Sequence, residues 1–94
     1  MVIGALKVRF VIMGAASLKE KRKVLKSLKD RLSRMNISVA EVDDQDKWQA
    51  STLAFAAVSN DSGYINSILD KIMLIISEHS DVEVIHRQAE IIQI

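Results

Sequence analysis

Apolar and polar residues alternate from the first residues of the chain. Val2, Gly4, Leu6, Val8, Phe10 and Ile12 fall on one side of an extended segment, and Ile3, Ala5, Lys7, Arg9 and Val11 on the other. A period of two with β-branched residues predicts a strand over 2–12. The period changes at Ser17. Ser17 and Glu20 spell a Ser-x-x-Glu capping box, and the helix behind it is expected to run from about Leu18 to Met35. On a wheel of 100° per residue, Leu18, Val24, Leu25, Leu28, Leu32 and Met35 occupy an arc of ~120°, the width of a core-facing stripe. Asn36 is a helix stop, and Ile37–Val42 alternates as a second strand. The polar run Asp43-Asp44-Gln45-Asp46-Lys47-Trp48-Gln49 reads as a connection.

Ser51–Ser59 reads as a third strand, with Leu53, Phe55 and Ala57 on one side and Thr52, Ala54, Ala56 and Val58 on the other. A strand without a polar face is usually central and covered on both sides. Ser59-Asn60-Asp61-Ser62 announces a second helix. Tyr64, Ile65, Ile68, Leu69, Ile72, Met73, Ile75 and Ile76 cover half of its wheel to an end near Glu78, and Leu74 lies outside that arc. Val82–Ile92 closes as a fourth strand. No linker or composition break divides the chain, so residues 1–94 are expected to form one domain.

The order β-α-β-β-α-β, with right-handed crossovers, places both helices on one face of a four-stranded antiparallel sheet. This is the ferredoxin-like α+β sandwich. The first and third strands take the centre. The opposite sheet face is left open, and either side of the third strand would make it an apolar patch, a route to a homodimer.

Charge changes the picture more than composition does. The chain has 13 Lys and Arg against 12 Asp and Glu, a formal net charge of +1. Residues 17–35 hold eight bases and two acids, net +6, and the remainder five bases and ten acids, net −5. Lys19, Arg22, Lys23, Lys26, Lys29 and Arg34 share one helical arc beside the apolar stripe. Lys21 lies on the apolar meridian itself, and is expected to sit in the first turn and snorkel past the helix end. Bases in a first turn oppose the helix dipole, so something other than helix stability favours them. A run of charge is most often a solvated face. A face built for solubility alone, however, mixes Glu with Lys at i,i+4, whereas here the bases far outnumber the acids. These seven cations are the candidate nucleic-acid-binding residues, placed to track the phosphate backbone of an RNA.

Other chemistry finds less support. With no cysteine, disulfides, thiolate metal sites and cysteine nucleophiles are excluded. Glu41, Asp43, Asp44 and Asp46 lack the spacing, glycine and distal Glu of a calcium loop, and His79 and His86 fit no zinc motif, so no metal is expected. Glu41, Asp43, Asp46 and Trp48 are instead candidates for an interaction loop. Trp48 could stack on a base, although a lone Trp after a loop more often anchors it. Phe10, Phe55 and Tyr64 read as core. Serines have cap and turn roles, and three glycines make no phosphate loop, leaving no catalytic constellation, cofactor site or small-molecule substrate. No signal peptide is apparent, and no run approaches the ~18–20 apolar residues of a membrane span. A cytoplasmic, non-enzymatic protein without membrane contact is the expectation.

Three stretches carry a family resemblance: Ser17-Leu18-Lys19-Glu20-Lys21-Arg22-Lys23-Val24-Leu25-Lys26-Ser27-Leu28-Lys29-Asp30-Arg31-Leu32; Ser38 to Asp43 with Gln45-Asp46 and Trp48-Gln49; and Val58-Ser59-Asn60-Asp61. In order and spacing the chain resembles the YlxP-like family of small bacterial proteins of unknown function. The resemblance implies a ferredoxin-like fold and a bacterial cytoplasmic protein. It also implies a gene neighbourhood shared with a translation initiation factor and a ribosome-binding factor, hence a link to translation or ribosome maturation. It supplies no catalytic residues. Position 44 is Asp here, where relatives commonly carry His.

Overall fold

The computed structural model describes residues 1–94. Six elements follow in order: β1 (Val2–Ile12), α1 (Leu18–Leu32), β2 (Ser38–Asp43), β3 (Ala50–Ser59), α2 (Ser62–Glu78) and β4 (Val82–Gln93). They form one four-stranded sheet in the order β2-β3-β1-β4, with every neighbouring pair antiparallel. This is the ferredoxin-like arrangement expected from the pattern, with β1 and β3 at the centre.

Burial along β1 alternates as its sequence does. Val2, Leu6, Val8, Phe10 and Ile12 are buried beneath the helices. They join Leu53, Phe55 and Ala57 of β3, Leu25, Leu28 and Leu32 of α1, and Ile65, Ile68, Leu69, Ile72 and Ile76 of α2 in one core. Gly4 lies on the same face, and a Cβ there would overlap the γ2 methyl of Ile65. The glycine therefore sets how closely α2 approaches the sheet.

Three expectations are corrected. α1 ends at Leu32, three residues early, because Ser33 takes the cap, its amide donating to the Lys29 carbonyl and its hydroxyl to that of Asp30. Arg34 therefore sits in the following turn, and Met35 packs against the core from there. β3 is internal, but only its Leu53 and Phe55 side is covered throughout; on the other side Thr52 is buried, Ala54 is half-buried, and Ala56 and Val58 are exposed. Tyr64 is exposed, since in the first turn of α2 it is the neighbouring Ile65 that turns to the sheet. Leu74 is exposed as its place outside the apolar arc implied.

The open sheet face is also less apolar than expected. Ile3, Val58 and Ile92 are cross-strand neighbours at one end. Towards the other end stand Lys7 and Arg9, flanked by Gln88 and His86 of β4.

A basic helix and a pinned loop as the candidate interface

The basic helix starts from a cap. The Ser17 hydroxyl accepts from the Glu20 amide at 3.2 Å, and the Glu20 carboxylate reaches back to the amide of Ala16. Two donors at the helix start are thereby satisfied, and an acid offsets the bases of the first turn. Leu25, Leu28 and Leu32 bury one face of α1, which turns Lys19, Arg22, Lys23, Lys26 and Lys29 to solvent, with exposed Arg34 just beyond the helix. Lys26 pairs with Asp30 at 3.1 Å, one turn on. Arg31 reaches Glu78 of α2 at 3.4 Å. Lys19, Arg22, Lys23, Lys29 and Arg34 have no carboxylate within ion-pair distance. The exposed surface of α1 is thus a field of largely unneutralised cations on a chain that is otherwise net negative.

Lys21 is not part of that field. It does not snorkel to solvent. The side chain is 2% exposed and runs inward toward the loop after β2. Its Nζ donates to the carbonyls of Asp44 at 2.6 Å and Lys47 at 2.7 Å, with that of Gln45 at 3.5 Å, and pairs with the Glu41 carboxylate at 2.9 Å. The reason is its place on the apolar meridian, where a buried ammonium group needs acceptors close at hand. Lys21 is accordingly withdrawn from the nucleic-acid candidates.

The loop candidates divide in the same way. Glu41 is paired with Leu53 in the β2–β3 register, on the helix side of the sheet, and is engaged by Lys21 and by the Ser51 hydroxyl at 2.6 Å. It is a structural acid and not a free docking group. Asp43 is exposed and accepts from the Asp44 amide at 2.8 Å. Asp46 is exposed and unpaired. Trp48 is 52% exposed, over a shallow hollow with Val11, Lys47 and Ala50. The loop is held by Lys21 and by Asp44.

Asp44 is the residue that sequence reasoning left without a role. Its φ of 62° is left-handed, a conformation that Asp and Asn tolerate better than most residues. The turn sends its carbonyl to Lys21 and its carboxylate to the open sheet face. There it accepts from Thr52 Oγ1 at 2.8 Å and Arg9 Nε at 3.0 Å, and meets Lys47 Nζ at 3.0 Å. The hydroxyl of Thr52, then Lys47 and Arg9, hold its pKa down to about 2 against the opposing effect of burial. The only signal in the sequence was indirect: a lysine at a core position of α1 requires an acceptor, and the acidic loop was the one place rich in them.

Fold and site together define a small ferredoxin-like domain with a cationic first helix and a loop fixed to that helix from within. Two solved structures share the fold: the de novo designed protein Foldit4 (TM-score 0.59, 13% identity, 96% of this chain and 97% of that one) and a de novo designed protein with ferredoxin fold, LFR1 1 (TM-score 0.55, 13% identity, 95% and 85%). Residues 3–89 match the family described as "Protein of unknown function (DUF503)". The chain is also 34% identical over 82 residues to the uncharacterized protein YlxP of Bacillus subtilis (strain 168), covering 86% of this chain and 89% of that one. The chain belongs to this YlxP-like family, as its motifs indicated. No helix is long and apolar enough to cross a membrane.

Proposed function

We propose that this protein is an RNA-binding accessory factor that engages structured RNA, such as that of a ribosomal subunit, through the exposed cations of α1. The observation that carries this reading is the set Lys19, Arg22, Lys23, Lys29 and Arg34, exposed and without carboxylate partners beside α1's apolar stripe. Such a surface meets phosphates at little desolvation cost and releases counterions as it binds. The translational gene neighbourhood that the YlxP-like resemblance implies points the same way. Base readout by the sheet is not part of the proposal, because the open face carries no stacked aromatic pair of the kind RRM domains use.

The test is filter binding of folded rRNA and of purified subunits across a salt series. Affinity is expected to fall linearly on logarithmic axes, with a slope set by about four or five neutralised phosphates. Reversing Lys23 and Lys26 to Glu is expected to weaken binding at least about ten-fold and to lower the slope by about two. Absence of binding at low salt, or binding unmoved by the reversal, rejects the reading.

A second reading is self-association through the open sheet face. The Ile3, Val58 and Ile92 cluster favours it, with Val58 60% exposed. An apolar dimer of that kind survives high salt, whereas one held by complementary charge dissolves as salt screens it.

A further inference from the structure

The two sheet edges are built differently. The β2 edge is six residues long, kinked by a bulge beside Val42, and flanked by Glu41 and Asp43. Short length, a bulge and charge are the usual means of blunting an edge. The β4 edge is twelve residues long, has no Lys and no Pro, and bears no neighbouring strand. Its one irregularity is early: Arg9 pairs with His86 and Phe10 with Val84, leaving Ile85 bulged. Beyond that point every residue from His86 to Gln93 is exposed.

The backbone phase of this edge can be read from its end. Met1 and Ile94 exchange both main-chain hydrogen bonds, at 2.7 and 2.8 Å. Because bonded and non-bonded pairs alternate along an antiparallel ladder, Ile92, Glu90, Gln88 and His86 also bond inward to β1. Arg87, Ala89, Ile91 and Gln93 therefore direct their N–H and C=O groups outward, to no partner in the chain.

We propose that this edge pairs with β4 of a second copy, antiparallel and about a two-fold axis, to give one continuous eight-stranded sheet. A two-fold pairing places side chains of the same face opposite each other, so only registers that oppose even with even residues are open. With the axis at Gln88, His86 faces Glu90 of the second copy, in both directions. Arg87 faces Ala89, and Ile91 reaches the bulged Ile85, covering two exposed isoleucines. Arg87 and Ala89 exchange about four main-chain hydrogen bonds across the axis. His86 and Glu90 lie at non-bonded positions, where opposing side chains are closest and a complementary pair counts most. Moving the axis to Arg87 brings Glu90 against Val84; moving it to Ala89 brings His86 against Ile92. Of these three registers, only the one at Gln88 sets an imidazole against a carboxylate in both directions. The pairing is closed, since each copy spends its single free long edge, and it is independent of α1 and of RNA.

Sedimentation equilibrium on the full chain tests it. The expected species is a dimer. Ala89→Pro removes an outward N–H without touching the bonds to β1, and is expected to raise the dimer Kd at least ten-fold with an unchanged circular dichroism spectrum. Glu90→Lys is expected to weaken the dimer similarly, and His86→Glu added to it to restore association, which keeps the test decisive should the proline variant fail to fold. A monomer at concentrations up to about 0.5 mM, an open-ended series of oligomers, or a dimer abolished by Ala56→Glu on the open face but indifferent to Ala89→Pro would each overturn the proposal.

Discussion

Lys21 illustrates how a single position can be legible in pattern and misread in consequence. The wheel put a cation among leucines, which is correct; the expectation that it would escape to solvent ignored the acidic loop folded over the helix start. The sequence showed that Lys21 was anomalous, but the identity of its partners depends on the path of the loop, which has no periodicity to read. Removing one member of a buried pair leaves the other charge unpaired, at a cost of about 3–5 kcal/mol. Lys21→Met is therefore expected to lower the melting temperature by at least about 12 °C, at 4–8 °C per kcal/mol for a domain of this size. Because Lys21 does not face solvent, the salt slope of RNA binding by the folded variant should stay as in the parent. Asp44 makes a separate prediction. Its pKa is lowered from 3.8 to about 2, so the folded state binds fewer protons than the unfolded chain between those values. The stabilisation is fully present above pH 4 and is lost as pH falls through about 2. Asp44→Asn keeps a side chain suited to the left-handed turn but removes the carboxylate. Acid titration of stability should show a flatter decline between pH 4 and 2 in the variant than in the parent, and equal slopes would remove Asp44 from the account.

At the level of elements, strands and helices were legible because each carries its own period, and the ends were less so. α1 stops where a serine hydroxyl and amide take over the last carbonyls, a local competition that apolar spacing does not report. The bulge in β4 was likewise invisible, since Val84-Ile85 reads as continuous apolar strand. The exposed cations of α1 were recovered by subtraction: whatever the Leu25, Leu28 and Leu32 stripe does not bury is left facing water. The contact between β1 and α2 offers an element-level test. Replacing glycine by alanine within a strand ordinarily stabilises by roughly 0.5–1 kcal/mol. At Gly4 the new methyl overlaps Ile65, which is fully buried and cannot swing aside. Overpacking of this kind costs about 1–3 kcal/mol, so the sign reverses. Gly4→Ala is expected to be destabilised in urea titration with an unchanged m-value, whereas a gain in stability would mean that α2 rides further from the sheet than described.

For the molecule as a whole, the two surfaces left uncommitted by folding lie on different parts of the sandwich. The cations belong to α1, the crossover from β1 to β2, and the free strand edge belongs to β4 at the opposite border of the sheet. Pairing at β4 therefore leaves α1 unobstructed. A two-fold axis normal to the sheet puts both helical layers on the same side, so the dimer offers two basic helices in one direction. The size of the domain gives this assembly a measurable thermodynamic trace. A chain of 94 residues buries only roughly 60–65% of the surface exposed when unfolded, and stability gained from a partner is a large fraction of its total. Anything that binds the folded state alone raises the melting temperature with concentration. Thermal unfolding of the parent chain is thus expected to shift upward by several degrees as protein concentration is raised a hundred-fold from about 5 μM, in high salt as in low. The Ala89→Pro chain should show a distinctly smaller shift over that range. A shift present only in low salt would assign the association to the +6 helix meeting the net −5 remainder of another copy, and would leave the β4 edge unpaired.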